Sequence, residues 1–146
     1  MRMTRQAEIA IDVLVLCALK AGSAAPVTTQ IAADHAGTTK NHAAQVVARL
    51  SRNGYLVSER GRAGGLRLAR PAAEINIGVL VRGTEEDFSL VECMQGAGGS
   101  CVISPICRLK GLFGEALEAY LAVLDRYTLA DATRNQAGLN VLLGLG

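Results

Sequence analysis

Apolar residues recur at helical spacing from the start of the chain. Ala7, Ile11, Leu14, Val15 and Ala18 fall on one stripe, and Thr4 stands where a cap would. This pattern predicts a helix over residues 5–20 with that stripe toward the core. Beyond the loop 22–26, Thr28 or Thr29 opens a short helix to residue 36, with Ile31 and Ala32 inward and Gly37 as its stop. Thr38 or Thr39 caps a third helix over residues 40–53. There Ala43, Val46, Val47 and Leu50 share a face, and Gly54 ends it. Two short helices joined by a glycine turn predict a helix-turn-helix, whose second helix would enter the major groove.

The period then shortens to two. Residues 55–60 read as a strand, residues 60–65 as a glycine-rich tip, and residues 66–70 as the returning strand. A hairpin wing behind a recognition helix makes the fold class mainly α with a small β-hairpin wing, a winged helix-turn-helix. Pro71 breaks the chain, and Asn76 can cap a helix over residues 77–82. After residue 107 the helical period returns over residues 108–125. Leu109, Leu112, Phe113, Ala116, Leu117, Tyr120, Leu121 and Leu124 make a stripe too broad for a small core to cover. Part of it is expected to pack on the same helix of a second subunit in a two-fold homodimer. A further helical turn starts at residues 128–131, and the apolar tail 138–146 should dock or fray. The organisation expected is a DNA-binding domain at 1–82, a loop at 83–107, and a dimerisation helix with tail at 108–146.

Composition changes this picture little. The 146 residues are half hydrophobic without Trp, and the apolar content is mainly Ala, Leu and Val, which suits packed helices. The apolar run 9–19 carries Asp12 and is too short to cross a bilayer, and no secretory pattern precedes it; a cytoplasmic protein without a membrane role is expected. Charge adds more. Residues 1–82 hold eleven Lys/Arg against five Asp/Glu, and residues 83–146 hold four against eight. A basic front half points to a polyanion partner. Thr38, Thr39, Lys40, Asn41, His42 and Gln45 crowd the first turns of the recognition helix, as groove readers do. Arg60, Arg62 and Arg67 on the wing suit phosphates or a minor groove. Double-stranded operator DNA is therefore the expected partner.

The remaining chemistry lies in the loop. Cys93, Cys101 and Cys107 fall within fifteen residues, and Gly, Ala and Ser fill most of the first gap. Such a backbone can bring thiolates together around something small. Structural zinc uses tighter ligand pairs, so wider gaps suit an iron–sulfur cluster, with one coordination site left for a different ligand. A disulfide would leave one thiol odd. Cys17, among apolar neighbours, reads as a buried small hydrophobe. No catalytic acid–base pair or nucleophile–His arrangement stands out, so the chain is not expected to be an enzyme. Two alternatives stay open: a cluster-containing electron carrier or redox enzyme, and a cluster-free regulator that senses thiol oxidation.

The order winged helix, three-cysteine loop, long helix resembles the Rrf2 family of bacterial transcription regulators over essentially the whole chain. The resemblance is carried by Met3-Thr4, the wing run from Arg60 to Leu68, Arg70-Pro71-Ala72, Ile75, Ile77-Gly78 and the three cysteines. Its nitric-oxide-sensing branch is resembled most, through Thr39-Lys40-Asn41-His42, the run from Leu50 to Tyr55, Ser89-Leu90-Val91-Glu92-Cys93, the run from Cys101 to Lys110, and Tyr127 to Asp131. The resemblance implies a repressor in which Cys93, Cys101 and Cys107 bind an iron–sulfur cluster, [4Fe–4S] first and [2Fe–2S] second, with nitric oxide as signal. It also implies a fourth ligand near the N-terminus, given by the partner subunit. Glu8 stands at that place, with Asp12 as the alternative. Glu departs from the Asp usual there, and the first cysteine gap is closer to that of the family's iron-responsive regulators, the second expectation for the signal.

Overall fold

The computed structural model describes residues 2–59, 64–95 and 101–145. Helix α1, Arg5–Leu19, starts where Thr4 Oγ1 accepts from the Ala7 amide. Its core face is wider than the expected stripe. Ile9, Ala10, Val13, Leu14, Leu16 and Cys17 are buried, while Ile11, Val15 and Ala18 are only half-buried against the core. The reason is position: α1 is packed by later elements on several sides, and an encircled helix has no single inward stripe.

Helix α2, Thr29–His35, and helix α3, Lys40–Arg52, form the helix-turn-helix. Thr28 Oγ1 accepts from the Ile31 amide and Thr39 Oγ1 from the His42 amide. Between them Gly37 takes φ +58°, the left-handed conformation that favours glycine, and the Thr38 amide closes on Ala33 O at 2.9 Å. In α3 the expected face Ala43, Val46, Val47 and Leu50 is buried. In α2 the expectation fails by one position. Ala32 and Ala33 are buried, and Ile31 lies exposed. The small residues go inward because α2 sits close against α1 and α3.

Strands β1, Leu56–Ser58, and β2, Leu66–Leu68, pair antiparallel with Leu56 opposite Leu68 and Ser58 opposite Leu66. The Leu66 amide also donates to Val27 O at 2.7 Å. Any side chain at Gly65 would meet this seam, since a Cβ there would stand 2.6 Å from Pro26 Cβ. The wing tip, with Arg60 and Arg62, lies outside the described residues.

Helix α4, Ile77–Thr84, is capped by Asn76, as expected, and ends two residues later than predicted. Helix α5, Arg108–Leu124, is followed by α6, Leu129–Ala132, which has a Thr128–Asp131 capping box, and α7, Gln136–Leu142. The C-terminal part is tied down at two places. Ile77 N donates to Tyr127 O and Leu129 N to Ile75 O, while Arg82 grips Asp125 through its two terminal guanidinium nitrogens at 2.5 and 2.8 Å. At the other end Gln136 Nε2 donates to Leu19 O and Lys20 Nζ to Leu145 O, both at 3.1 Å, so the tail docks on α1. Along α5 only Leu117 and Leu121 are buried; Leu109, Leu112 and Phe113 at its start are exposed.

The Arg82 hydrogen bonds hold the Asp125 carboxyl below its ordinary value. A depressed carboxyl stabilises the fold above its unfolded pKa and stops doing so as pH falls through the folded one. The α4–α5 tie should therefore loosen as pH falls below 3.8, the ordinary value. The Asn76 side-chain amide, which donates to Asp125 O at 2.7 Å, reports it by NMR. Unchanged exchange of that amide across this range would show that the ion pair does not hold the helix.

Candidate functional site

In the recognition helix some candidate polar residues take part in folding and the others are left exposed. Thr39 Oγ1 is the cap, and Thr38 Oγ1 lies 3.2 Å from His42 Nδ1, so these three partly satisfy one another. Lys40, Asn41 and Gln45 are exposed and have no side-chain partner among the described residues. Ala44 and Ala48 beside them are also exposed, and side chains that small let a helix backbone approach base edges closely. Arg52 is exposed in the last turn and continues the line of Asn41, Gln45 and Ala48. The helical spacing that marks Gln45 as a candidate reaches Arg52 as well. On the wing Arg67 is exposed and sits 3.5 Å from Glu59. Such an exposed pair contributes little and separates readily for a phosphate.

Three arginines absent from the expected site brace this helix. Arg5 in α1 donates to Gly37 O at 3.1 Å and to Ala36 O, in the turn ahead of α3. Arg49 donates to Gln6 Oε1 at 3.0 Å and to Gly83 O at 2.9 Å, tying α3 to α1 and to the end of α4. Arg70 donates to Gly54 O and Asn53 O behind α3 and stands 5.0 Å over the Tyr55 ring. A planar guanidinium with five donors suits the task of gathering terminal carbonyls. The reading head is thus a braced body, and exposed Lys40 is free to contribute charge. Lys40→Ala should weaken binding to any DNA sequence alike and lower the salt slope of log affinity by about 1. Titrations at several salt concentrations measure this; an unchanged slope places Lys40 away from phosphate.

The thiols occupy three different settings. Cys93 lies half-buried in a 3-10 turn, Glu92–Met94. Cys101 is exposed, and Cys107 is half-buried at the cap position of α5, where no side chain bonds the first-turn amides. All three are free thiols. Residues 96–100 lie outside the described residues. Among the described residues no three His, Cys, Asp or Glu side chains stand together as a metal site. The turn before Cys93 is shaped by Asp87, which accepts from the Ser89 amide at 2.7 Å and from Gln95 Nε2 at 3.2 Å. The bonds from Ser89, with a smaller one from Gln95, hold its carboxyl below the ordinary value.

Cys17 is different. It is buried, burial pushes its pKa up to about 12, and its Sγ lies 3.9 Å from Leu66 O. It stays a neutral core residue, as expected. Of the two candidate carboxylates, Asp12 is half-buried, and burial raises its pKa against the opposing charges of His35 and Arg5. Glu8 is the more available. Its side chain is 32% exposed and pairs with Arg5 at 3.0 Å. The donor set suits soft iron: three thiols outside any disulfide, on a glycine-rich loop, one at a helix start.

A family model described as Rrf2, iron-dependent transcriptional regulator, matches residues 3–135. The HTH-type transcriptional regulator NsrR of Bacillus subtilis is 43% identical over 98% of this chain and 97% of its own length. The regulator of the same name from Geobacillus kaustophilus is 50% identical over 72% of this chain and 71% of its own. Among solved structures, IscR of T. potens superposes with a TM-score of 0.72 at 22% identity, covering 92% of this chain and 88% of that one. CymR, the global cysteine regulator of B. subtilis, gives 0.71 at 23%, covering 92% and 98%. At these identities the solved structures speak for the fold, which is the winged helix expected from the sequence.

Proposed function

Because the chain belongs to the Rrf2 family of transcription regulators, we propose that it is a homodimeric repressor whose grip on operator DNA is switched by an iron–sulfur cluster sensing nitric oxide. It is a DNA-binding regulator and not an enzyme. No described helix is long and apolar enough to cross a membrane; a regulator of this kind would work in the cytoplasm beside its DNA. The nitric oxide reading rests on the relatives named NsrR, the name of the family's nitric-oxide-sensing branch, together with three free thiols placed between the reading head and α5.

Cys93, Cys101 and Cys107 would hold the cluster, [4Fe–4S] before [2Fe–2S], and Glu8 of the partner subunit would complete it. When bound, the cluster supplies iron open to nitric oxide, which makes the ligation of these side chains depend on the gas. The chain's own part is mechanical. Cys107 starts α5, so the order of the loop reaches the helix whose bare face, Leu109, Leu112 and Phe113, would meet its copy in the dimer. Residues 85–95 lead back to α4, whose Gly83 O holds Arg49 of the recognition helix. A change in the loop is thereby passed to two half-site readers about one helical turn of DNA apart. Lys40, Asn41, Gln45, Thr38, Thr39 and His42 would face the groove, and Arg60, Arg62 and Arg67 the backbone beside it.

The seven-residue gap between Cys93 and Cys101 favours a second reading, an iron-availability regulator with the same ligands. Native mass spectrometry of anaerobically prepared protein should give a dimer with one cluster per chain. Titrating it with nitric oxide and, separately, with an iron chelator while following operator binding decides the signal. A response to the chelator alone selects the second reading. A metal-free dimer that holds its operator under both treatments ends the proposal.

A further inference from the structure

We propose that Arg5 is a positioning residue that couples Glu8 to the turn of the helix-turn-helix. The inference rests on the cluster-switched reading above, with Glu8 as the ligand lent to the partner subunit. One guanidinium carries both connections. Its Nη1 donates to Glu8 Oε2 at 3.0 Å, and its Nη2 donates to Gly37 O at 3.1 Å and to Ala36 O. The fork is planar and rigid, so its two ends turn together. The two carbonyls lie where the left-handed Gly37 sets the direction of the chain. Thr38 and Thr39, which follow at once, start the recognition helix.

The ion pair is poorly explained as a fold stabiliser. The Arg5 and Glu8 side chains are 49% and 32% exposed, and pairs so open to water contribute little. They also separate at little cost, which suits a contact that changes with state. A Glu8 carboxylate drawn to the partner's cluster leaves Arg5 to bond the turn alone. A Glu8 paired with Arg5 anchors the fork from the first turn of α1 and draws its charge away from the turn. The α3 entry then has two settings, one for each partner of Glu8. Arg49 and Arg70 brace α3 elsewhere but touch neither candidate ligand, so Arg5 alone among the three joins the cofactor side to the reader.

The test compares full-length wild type, Arg5→Ala and Arg5→Lys, each loaded with cluster anaerobically and each stripped of it. Cluster content is read by native mass spectrometry and visible absorbance, operator affinity by anisotropy, and the Gly37 and Thr38 amides by hydrogen exchange. Wild type should bind the operator at least about tenfold more tightly when loaded, and exchange in the turn should differ between its states. Arg5→Ala should keep its cluster while the loaded-to-stripped ratio falls to within about twofold and the exchange difference disappears. Arg5→Lys keeps the charge without the fork and should behave like Arg5→Ala with unchanged circular dichroism, which separates loss of coupling from loss of fold. An Arg5→Lys protein with full cluster and the wild-type ratio overturns the proposal and leaves the function standing. Loss of the cluster from folded Arg5→Lys also overturns it, because Arg5 would then serve the cofactor and not the turn. Failure of the underlying reading appears elsewhere: in wild type whose affinity ignores the cluster, or in Glu8→Ala with an unaltered cluster spectrum.

Discussion

Cys101→Ala will give a folded protein that binds its operator at least about tenfold more weakly than loaded wild type, as stripped wild type does. Cys101 is exposed, so its sulfur contributes nothing to the core and its loss cannot act through unfolding. Circular dichroism and the melting temperature should match wild type. Cluster absorbance should vanish, because two thiolates and one carboxylate leave iron open to water and to loss. Cys17→Ala is the control. Cys17 is buried and uncharged, so its removal should lower stability by about 1 kcal/mol while cluster and operator affinity persist. Anaerobic anisotropy on the two variants side by side reads both effects. Tight operator binding and an intact nitric oxide response in Cys101→Ala would remove the cluster from the mechanism.

The reading head was legible in the sequence for definite physical reasons. Thr28 and Thr39 are caps, Gly37 and Gly54 take positive φ, and Ala43, Val46, Val47 and Leu50 repeat with the helical period. Each signal is local, so each survives without knowledge of the tertiary fold. The bracing arginines were not legible. Arg5, Arg49 and Arg70 bond chiefly to backbone carbonyls, and a carbonyl has no signature in sequence, since every residue carries one. The thiol loop falls between these cases. Its composition and spacing mark the cysteines, but the described part of one chain does not bring three ligands together. If, as proposed, a second subunit and an inorganic core complete the site, its geometry is written in neither the local pattern nor the fold of a single chain.

The two isoleucines that the pattern ranked wrongly provide the sharpest stability contrast. Ile9 lies off the stripe expected of α1, yet it is fully buried, while Ile31, expected inward, is 43% exposed. Ile9→Ala removes three carbons from a closed core and leaves a cavity that neighbours on several sides prevent from collapsing; the cost should be about 3–4 kcal/mol. Ile31→Ala removes the same atoms from a half-wet surface and should cost no more than about 0.5 kcal/mol. Urea unfolding of stripped protein, at one fixed chain concentration because the proposed dimerisation would add to apparent stability, measures both. The midpoint of Ile9→Ala should fall with the slope unchanged, and that of Ile31→Ala should stay in place. Equal costs would mean that Ile31 is covered in solution by a surface beyond the described residues of its own chain, such as that of a second subunit.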